Sequence, residues 1–203
     1  MRLSFCRVNS DYCDYLRSFD SRVPLNSDVK QRRPFIGILI EKDSEMKYFA
    51  PLSSPKPKHI TMKNQIDFLK IKGGVWGAIN FNNMIPVKED NLIKVDLKFS
   101  PSDTKDEVDY KNLLINQLTW CNSNRENIVN KALKLYDTIS HGKGSEQLSL
   151  RCCNFKLLEE KCLNYSEIQK ALKEAAASKE NPILKRRFLP QSRDIGSSYG
   201  REM

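Results

Sequence analysis

The hydrophobic pattern divides the chain into a front half of short apolar runs and a rear half of helical stripes. Residues 2–8 alternate weakly and predict a strand. Asn9, Ser10 and Asp11 then supply helix-cap chemistry, and Tyr12, Tyr15, Leu16 and Phe19 follow at i, i+3, i+4 and i+7, so residues 11–19 read as a short amphipathic helix. Residues 20–33 form a polar loop. The run 35–40 and the run 46–52, separated by the charged turn 41–45, predict a β-hairpin ending in Pro51. In Ser53-Ser54-Pro55-Lys56-Pro57-Lys58-His59 two prolines forbid a continuing ladder strand and predict an extended, stiff loop. Gly73-Gly74 marks a turn, residues 75–81 a strand containing Trp76, and residues 92–99 one more.

After Pro101 the period changes. Tyr110, Leu114, Leu118 and Cys121 stripe a helix over 106–121. Ile128, Ala132, Leu135 and Ile139 stripe one over 125–140, and Phe155, Leu158 and Cys162 one over 154–172. From Ala175 the chain is small, charged and Gly/Ser-containing, with a basic knot at Lys185-Arg186-Arg187, and is expected to be loosely ordered. Strands followed by helices indicate an α+β domain over residues 1–174 with a basic tail over 175–203. Short strands with frequent turns suit a strongly bent antiparallel sheet or a small barrel.

Composition narrows the partners. A chain of 203 residues with 39% hydrophobic content supports one ordinary core. No apolar run reaches the length of a membrane span and no cleavable leader opens the sequence, which predicts a cytoplasmic protein. Six cysteines without a C-x-x-C pair, beside two histidines, do not sort into a zinc site and read as reduced structural thiols. The net charge is +9, and residues 30–75 hold ten basic side chains, among them Lys30, Arg32, Arg33, Lys56, Lys58 and Lys63, against four acidic ones. That concentration favours a polyanionic partner.

Phosphate-binding Gly loops, H-E-x-x-H and clustered carboxylates for Mg²⁺ are missing from the sequence. What remains is the loop 53–59, with two hydroxyls, two ammonium groups and an imidazole on a proline-stiffened frame. Hydroxyls can bond phosphate oxygens, and lysines can stabilise charge developing on them.

Five ordered blocks of the chain resemble the ToxN/AbiQ family. They are Phe19-Asp20-Ser21-Arg22-Val23-Pro24, Arg33-Pro34-Phe35-Ile36-Gly37-Ile38, Tyr48-Phe49-Ala50-Pro51-Leu52-Ser53-Ser54-Pro55-Lys56, Ile79-Asn80-Phe81-Asn82-Asn83-Met84-Ile85-Pro86 and Asn154-Phe155-Lys156-Leu157-Leu158-Glu159-Glu160-Lys161. The resemblance spans residues 1–165. It implies a bent sheet core related to the Kid/MazF toxins with added helices. It also implies a metal-independent endoribonuclease, needing no cofactor, that leaves a 2′,3′-cyclic phosphate. Such a toxin processes a repetitive antitoxin RNA into pseudoknots that bind and block it, in closed assemblies of alternating protein and RNA. The free toxin arrests growth or aborts phage infection. Carried across, the essential serine is Ser54, its preceding hydroxyl Ser53, its loop lysine Lys56 and the first-helix tyrosine Tyr12. Arg33 stands where a relative has lysine, and an arginine there clamps an oxyanion but stays protonated. Lys56 or His59 is then left as the protein base.

Other readings stand beside these. Tyr12 lies on an apolar stripe, where core packing competes with catalysis. Lys58, His59, Lys63, Arg32 and Lys30 are expected to guide the RNA backbone, while Trp76 and Trp120 suit either core or base stacking. His141 reads as a loop residue. The same basic surface would serve a nonenzymatic RNA-binding regulator, and Ser53-Ser54-Pro55-Lys56 formally satisfies the S-x-x-K of serine acyl hydrolases, although S-D-N and K-T-G are absent.

Overall fold

A computed structural model describes residues 2–25, 34–38 and 47–180, the last five of these by backbone alone. Contacts divide the chain into two compact units, Met1–Asn164 and Tyr165–Met203. The described residues of the first carry seven strands: β1 (Phe5–Val8), β2 (Phe35–Ile38), β3 (Lys47–Ser53), β4 (Phe68–Lys70), β5 (Ala78–Asn80), β6 (Ile85–Val87) and β7 (Leu92–Lys94). All pairings are antiparallel, in the order β4-β5-β3-β2-β1-β7. β3 carries two partners on its other side: β5 beside Leu52 and Ser53, and β6 beside Lys47 to Phe49. Among the described residues β4 and β7 end the path without pairing with each other, so of the two expectations the barrel does not form and the sheet is open.

The helices are α1 (Ser10–Arg17), α2 (Pro57–Thr61), α3 (Lys105–Ser123), α4 (Arg125–Ser140), α5 (Glu146–Arg151) and α6 (Phe155–Glu180). Asn9 caps α1 by accepting from the Asp11 and Tyr12 N–H groups at 2.8 and 3.4 Å. Thr104 and Glu107 form a capping box on α3. On the predicted stripes, Leu114, Cys121, Ile128, Ala132 and Leu135 are buried. Tyr48 joins sheet to helices by edge contacts with Tyr136 at 5.4 Å and Phe155 at 5.8 Å, and its hydroxyl donates to Glu159 at 2.9 Å.

Five expectations change. The strand expected over residues 92–99 ends at Lys94. The hairpin strand does not stop at Pro51 but runs to Ser53, because the proline carbonyl position still pairs on the β2 side and Leu52 N–H donates to the Pro34 carbonyl at 2.9 Å. The segment after Lys56 is not extended: Pro57 opens a short helix, since a proline at the first helical position loses no hydrogen bond. Trp76 and Val75 sit in a turn, and the strand begins only at Ala78. Helix α6 continues past Leu172 to Glu180. The basic knot at Lys185 to Arg187 lies outside the described residues.

Candidate active site

The candidate loop leaves the sheet at the end of β3. Leu52 pairs with Ile79 and Ser53 with Ala78 on β5. Alternation sends Leu52 into the core and Ser53 to the opposite face, where it is half-buried. Ser54, Pro55, Lys56, Pro57 and Lys58 follow, all exposed. The loop rests on the turn over residues 71–77. Gly77 and Gly74 have φ of +93° and +98°, and a Cβ would overlap the Ser53 carbonyl oxygen at the first and the His59 carbonyl oxygen at the second. Only glycine gives both the conformation and the close approach at these two points. The turn is itself fixed by a bond from the Ile71 N–H to the Gly77 carbonyl at 2.9 Å. From α3, the Gln117 amide donates to the Trp76 carbonyl at 2.6 Å. Both ends of the loop are thus held by backbone packing, and the exposed residues between them need little reorganisation.

Ser53 accepts a hydrogen bond from the Asn80 side-chain amide at 2.6 Å. The ammonium groups of Lys56, Lys58 and Lys63 are exposed and make no hydrogen bond or ion pair among the described residues. The fold therefore brings Ser53, Ser54, Lys56 and Lys58 together on one short exposed segment, with Lys63 two residues beyond α2. Arg33, Arg32 and Lys30 lie outside the described residues.

Two expected site residues are placed differently. His59 is 3% exposed, with its ring 5.8 Å from that of Phe68, so it does not offer its imidazole to a passing RNA backbone. Burial, and then the charges of Lys56 and Lys58, hold it below the ordinary histidine range. Its Nδ1 has no hydrogen-bond partner among the described residues. Tyr12 is fully buried, and its hydroxyl donates to the Pro86 carbonyl at 2.7 Å. Pro86 faces Tyr48, five residues and about 16 Å along β3 from Ser53 at the usual strand rise. Burial pushes the Tyr12 phenol far above its ordinary range, so core packing is the role its surroundings support.

The remaining candidates fall into place more simply. All six cysteines are free and buried, and burial pushes the Cys6 and Cys121 thiols up to about 12, far from the thiolate a nucleophile needs. Trp76 is half-buried under the Lys72 ammonium, 4.7 Å from the ring centroid, and Trp120 is also half-buried on α3. His141 lies in the turn just past α4, as expected, with its Nδ1 3.1 Å from an Asp137 carboxylate oxygen. Among the described residues no group of three His, Cys, Asp or Glu side chains could hold a metal ion. No helix there is long and apolar enough to cross a membrane. A cavity of about 1190 Å³ opens elsewhere, between α4 and the face of β1, β2, β3 and β7, and none of the residues 53–63 lines it. Its Lys47 is already engaged by Glu89 at 2.8 Å. Sequence reasoning missed Asn80 and Gly77, and read Gly74 only as part of a turn. Asn80 stood inside a family-like block with no role attached, and only the strand register reveals its partner.

Hydroxyls and uncommitted ammonium groups on a rigid, exposed segment can bind a phosphodiester and stabilise charge on it. Comparison with known proteins points the same way. The family model of the toxin ToxN of type III toxin-antitoxin systems matches residues 4–163. The endoribonuclease ToxN of Bacillus thuringiensis subsp. kurstaki is 34% identical over 171 residues, covering 82% of this chain and 86% of the relative. The endoribonuclease AbiQ of Lactococcus lactis subsp. lactis is 30% identical over 177 residues, covering 82% and 91%. Two solved structures each superpose with a TM-score of 0.67, covering 82% of this chain and 99% of theirs. One, 33% identical, is a type III toxin selectively inhibited by a non-coding RNA pseudoknot. The other, 29% identical, is AbiQ, a lactococcal anti-phage endoribonuclease. With the fold, the ordered blocks and the family match over residues 4–163 in agreement, this chain belongs to the ToxN family of type III toxin-antitoxin toxins, whose curated relatives are endoribonucleases.

Proposed function

We propose that this chain is the endoribonuclease toxin of a type III pair and that it cuts RNA without a metal, using the segment 53–58. The substrate's own 2′-hydroxyl oxygen attacks the adjacent phosphorus, the bond from phosphorus to the 5′-oxygen breaks, and a 2′,3′-cyclic phosphate and a 5′-hydroxyl result. Ser54 and Ser53 hold the phosphate. Lys56 stabilises the charge gathered on the phosphorane oxygens, with Arg33 as a second cation, and Lys58 and Lys63 guide the backbone. The observation that carries this reading is the exposed, glycine-anchored loop whose three nearby lysines have no carboxylate partner among the described residues.

The same uncommitted cations suit a polyanionic inhibitor, and the inhibition of a relative by an RNA pseudoknot supports a repeat-derived pseudoknot RNA as the antitoxin here. Occupying the loop would block the substrate by competition for one set of charges. A closed assembly in which protein and RNA alternate is the form the family resemblance favours. The reading is tested by incubating the protein with RNA in excess chelator and mapping the product ends. Cleavage with 2′,3′-cyclic phosphate ends supports it, and products with 3′-hydroxyl ends, or intact RNA, reject it.

A further inference from the structure

We propose that Asn80 is the positioning residue that turns the Ser53 hydroxyl into a hydrogen-bond donor for the scissile phosphate, an inference that rests on the functional reading above.

The register explains the contact. Ser53 pairs with Ala78 and Leu52 with Ile79, which sets Asn80 opposite Pro51 and diagonal to Ser53 on the same face of the sheet. A diagonal neighbour is within reach of a side chain the length of asparagine. The Asn80 amide nitrogen lies 2.6 Å from Ser53 Oγ and 3.5 Å from the Pro51 carbonyl oxygen. A carbonyl oxygen can only accept, so the amide group facing both atoms is the NH₂ and not the oxygen. Pro51 has no N–H of its own, so nothing on its position competes for that side of the amide.

The consequence is directional. A serine hydroxyl is at once donor and acceptor, and its hydrogen turns to suit its neighbours. With an Asn80 N–H entering one lone pair of Oγ, the Ser53 hydrogen cannot point back at Asn80. Among the described residues it meets no other acceptor. The hydroxyl is left to donate away from Asn80, from a half-buried position next in sequence to the exposed Ser54. Accepting one bond also polarises the O–H and strengthens the bond it gives. Asn80 itself need not touch the RNA, because its effect passes through Ser53.

The test is a double-mutant cycle on cleavage of an unstructured RNA of mixed sequence, read as kcat and KM separately. Asn80→Ala and Ser53→Ala are each expected to lower kcat about tenfold with KM changed less than threefold. The double variant should be no slower than Ser53→Ala alone. Asn80→Asp keeps the shape but replaces the donor by an acceptor that takes the Ser53 hydrogen, so it should fall at least as far as Asn80→Ala. It also serves the cycle if the alanine variant does not fold. Losses that multiply in the double variant, or full kcat in Asn80→Asp, overturn the role of Asn80 while the endoribonuclease reading stands. Absence of cleavage by the unmodified chain removes both.

Discussion

The three lysines of the candidate loop and several cations on the helices are used in opposite ways. The ammonium groups of Lys56, Lys58 and Lys63 stand in solvent with no carboxylate or carbonyl bound among the described residues. Several charges on the helices and their approaches are spent internally: Lys111 on Asp103 at 2.6 Å, Lys143 on Asp137 at 3.1 Å, and Lys161 on Glu160 at 2.6 Å. Arg22 grips Asp20 through Nε at 2.8 Å while the same carboxylate accepts the Asn154 N–H at 2.8 Å, tying the α1 exit to the start of α6. Arg151 holds the buried Asp67 at 2.6 Å. A net charge of +9 is therefore only a first guide. The functional charge is the part the fold leaves unspent.

This contrast predicts which substitutions harm activity and which harm stability. The largest expected effect is on chemistry: Lys56→Ala should lower the cleavage rate about 10²-fold by the usual worth of one charge-stabilising group, with unfolding unchanged. A loss of stability with normal turnover per folded molecule would move Lys56 to the structural class.

Next comes Gly77→Ala. A side chain there meets the Ser53 carbonyl and a backbone conformation of φ +93°, so a loss of about 2–3 kcal/mol in urea unfolding is expected. Unchanged stability would show that the turn does not brace the loop. Arg22→Ala should cost about 2 kcal/mol, because it strips a partly exposed partner from the buried Asp20 carboxylate. Per folded molecule it should cleave normally, and reduced cleavage would place this charge in the site.

A pH effect follows from His59. Burial lowers its folded value, so between that value and about 6.5 the unfolded chain binds a proton that the folded chain does not. Stability should fall as pH drops through that window, and His59→Gln should flatten the change. Melting curves at pH 7 and pH 5 for both proteins measure it, and equal slopes would show that the imidazole is accessible. The smallest effect separates the two groups of lysines most cleanly. Lys58→Ala and Lys63→Ala should each reduce the salt slope of RNA binding by roughly one, while Lys143→Ala and Lys161→Ala leave it unchanged.

Much of the rear half was legible because helical periodicity is local. The stripe through Ile128, Ala132 and Leu135 fixed a helix whose observed ends, Arg125–Ser140, are those expected. The three-residue strands β4 and β6 were not legible. Each is too short to show a period and exists only because β5 and β3 offer edges, with Pro86 inside β6 arguing against a strand in isolation. Helix α5, six residues long, escaped for the same reason.

In the site, Ser54, Lys56, Lys58 and Lys63 could be chosen by residue type and loop position, and all four are exposed. His59 could not be separated from them, because its burial depends on Phe68 and on a turn more than ten residues away. Asn80 lies 27 residues from Ser53, and its contact exists only in the register of β3 with β5.

The account depends on Ser54 lying where the phosphodiester breaks. Its sharpest measurement is the single-turnover cleavage rate of Ser54→Ala with protein in excess over RNA, alongside the binding affinity of the same variant. A fall of at least about 10²-fold in rate with affinity held within a few-fold is predicted. A variant that binds and cuts at the rate of the unmodified chain would contradict the account.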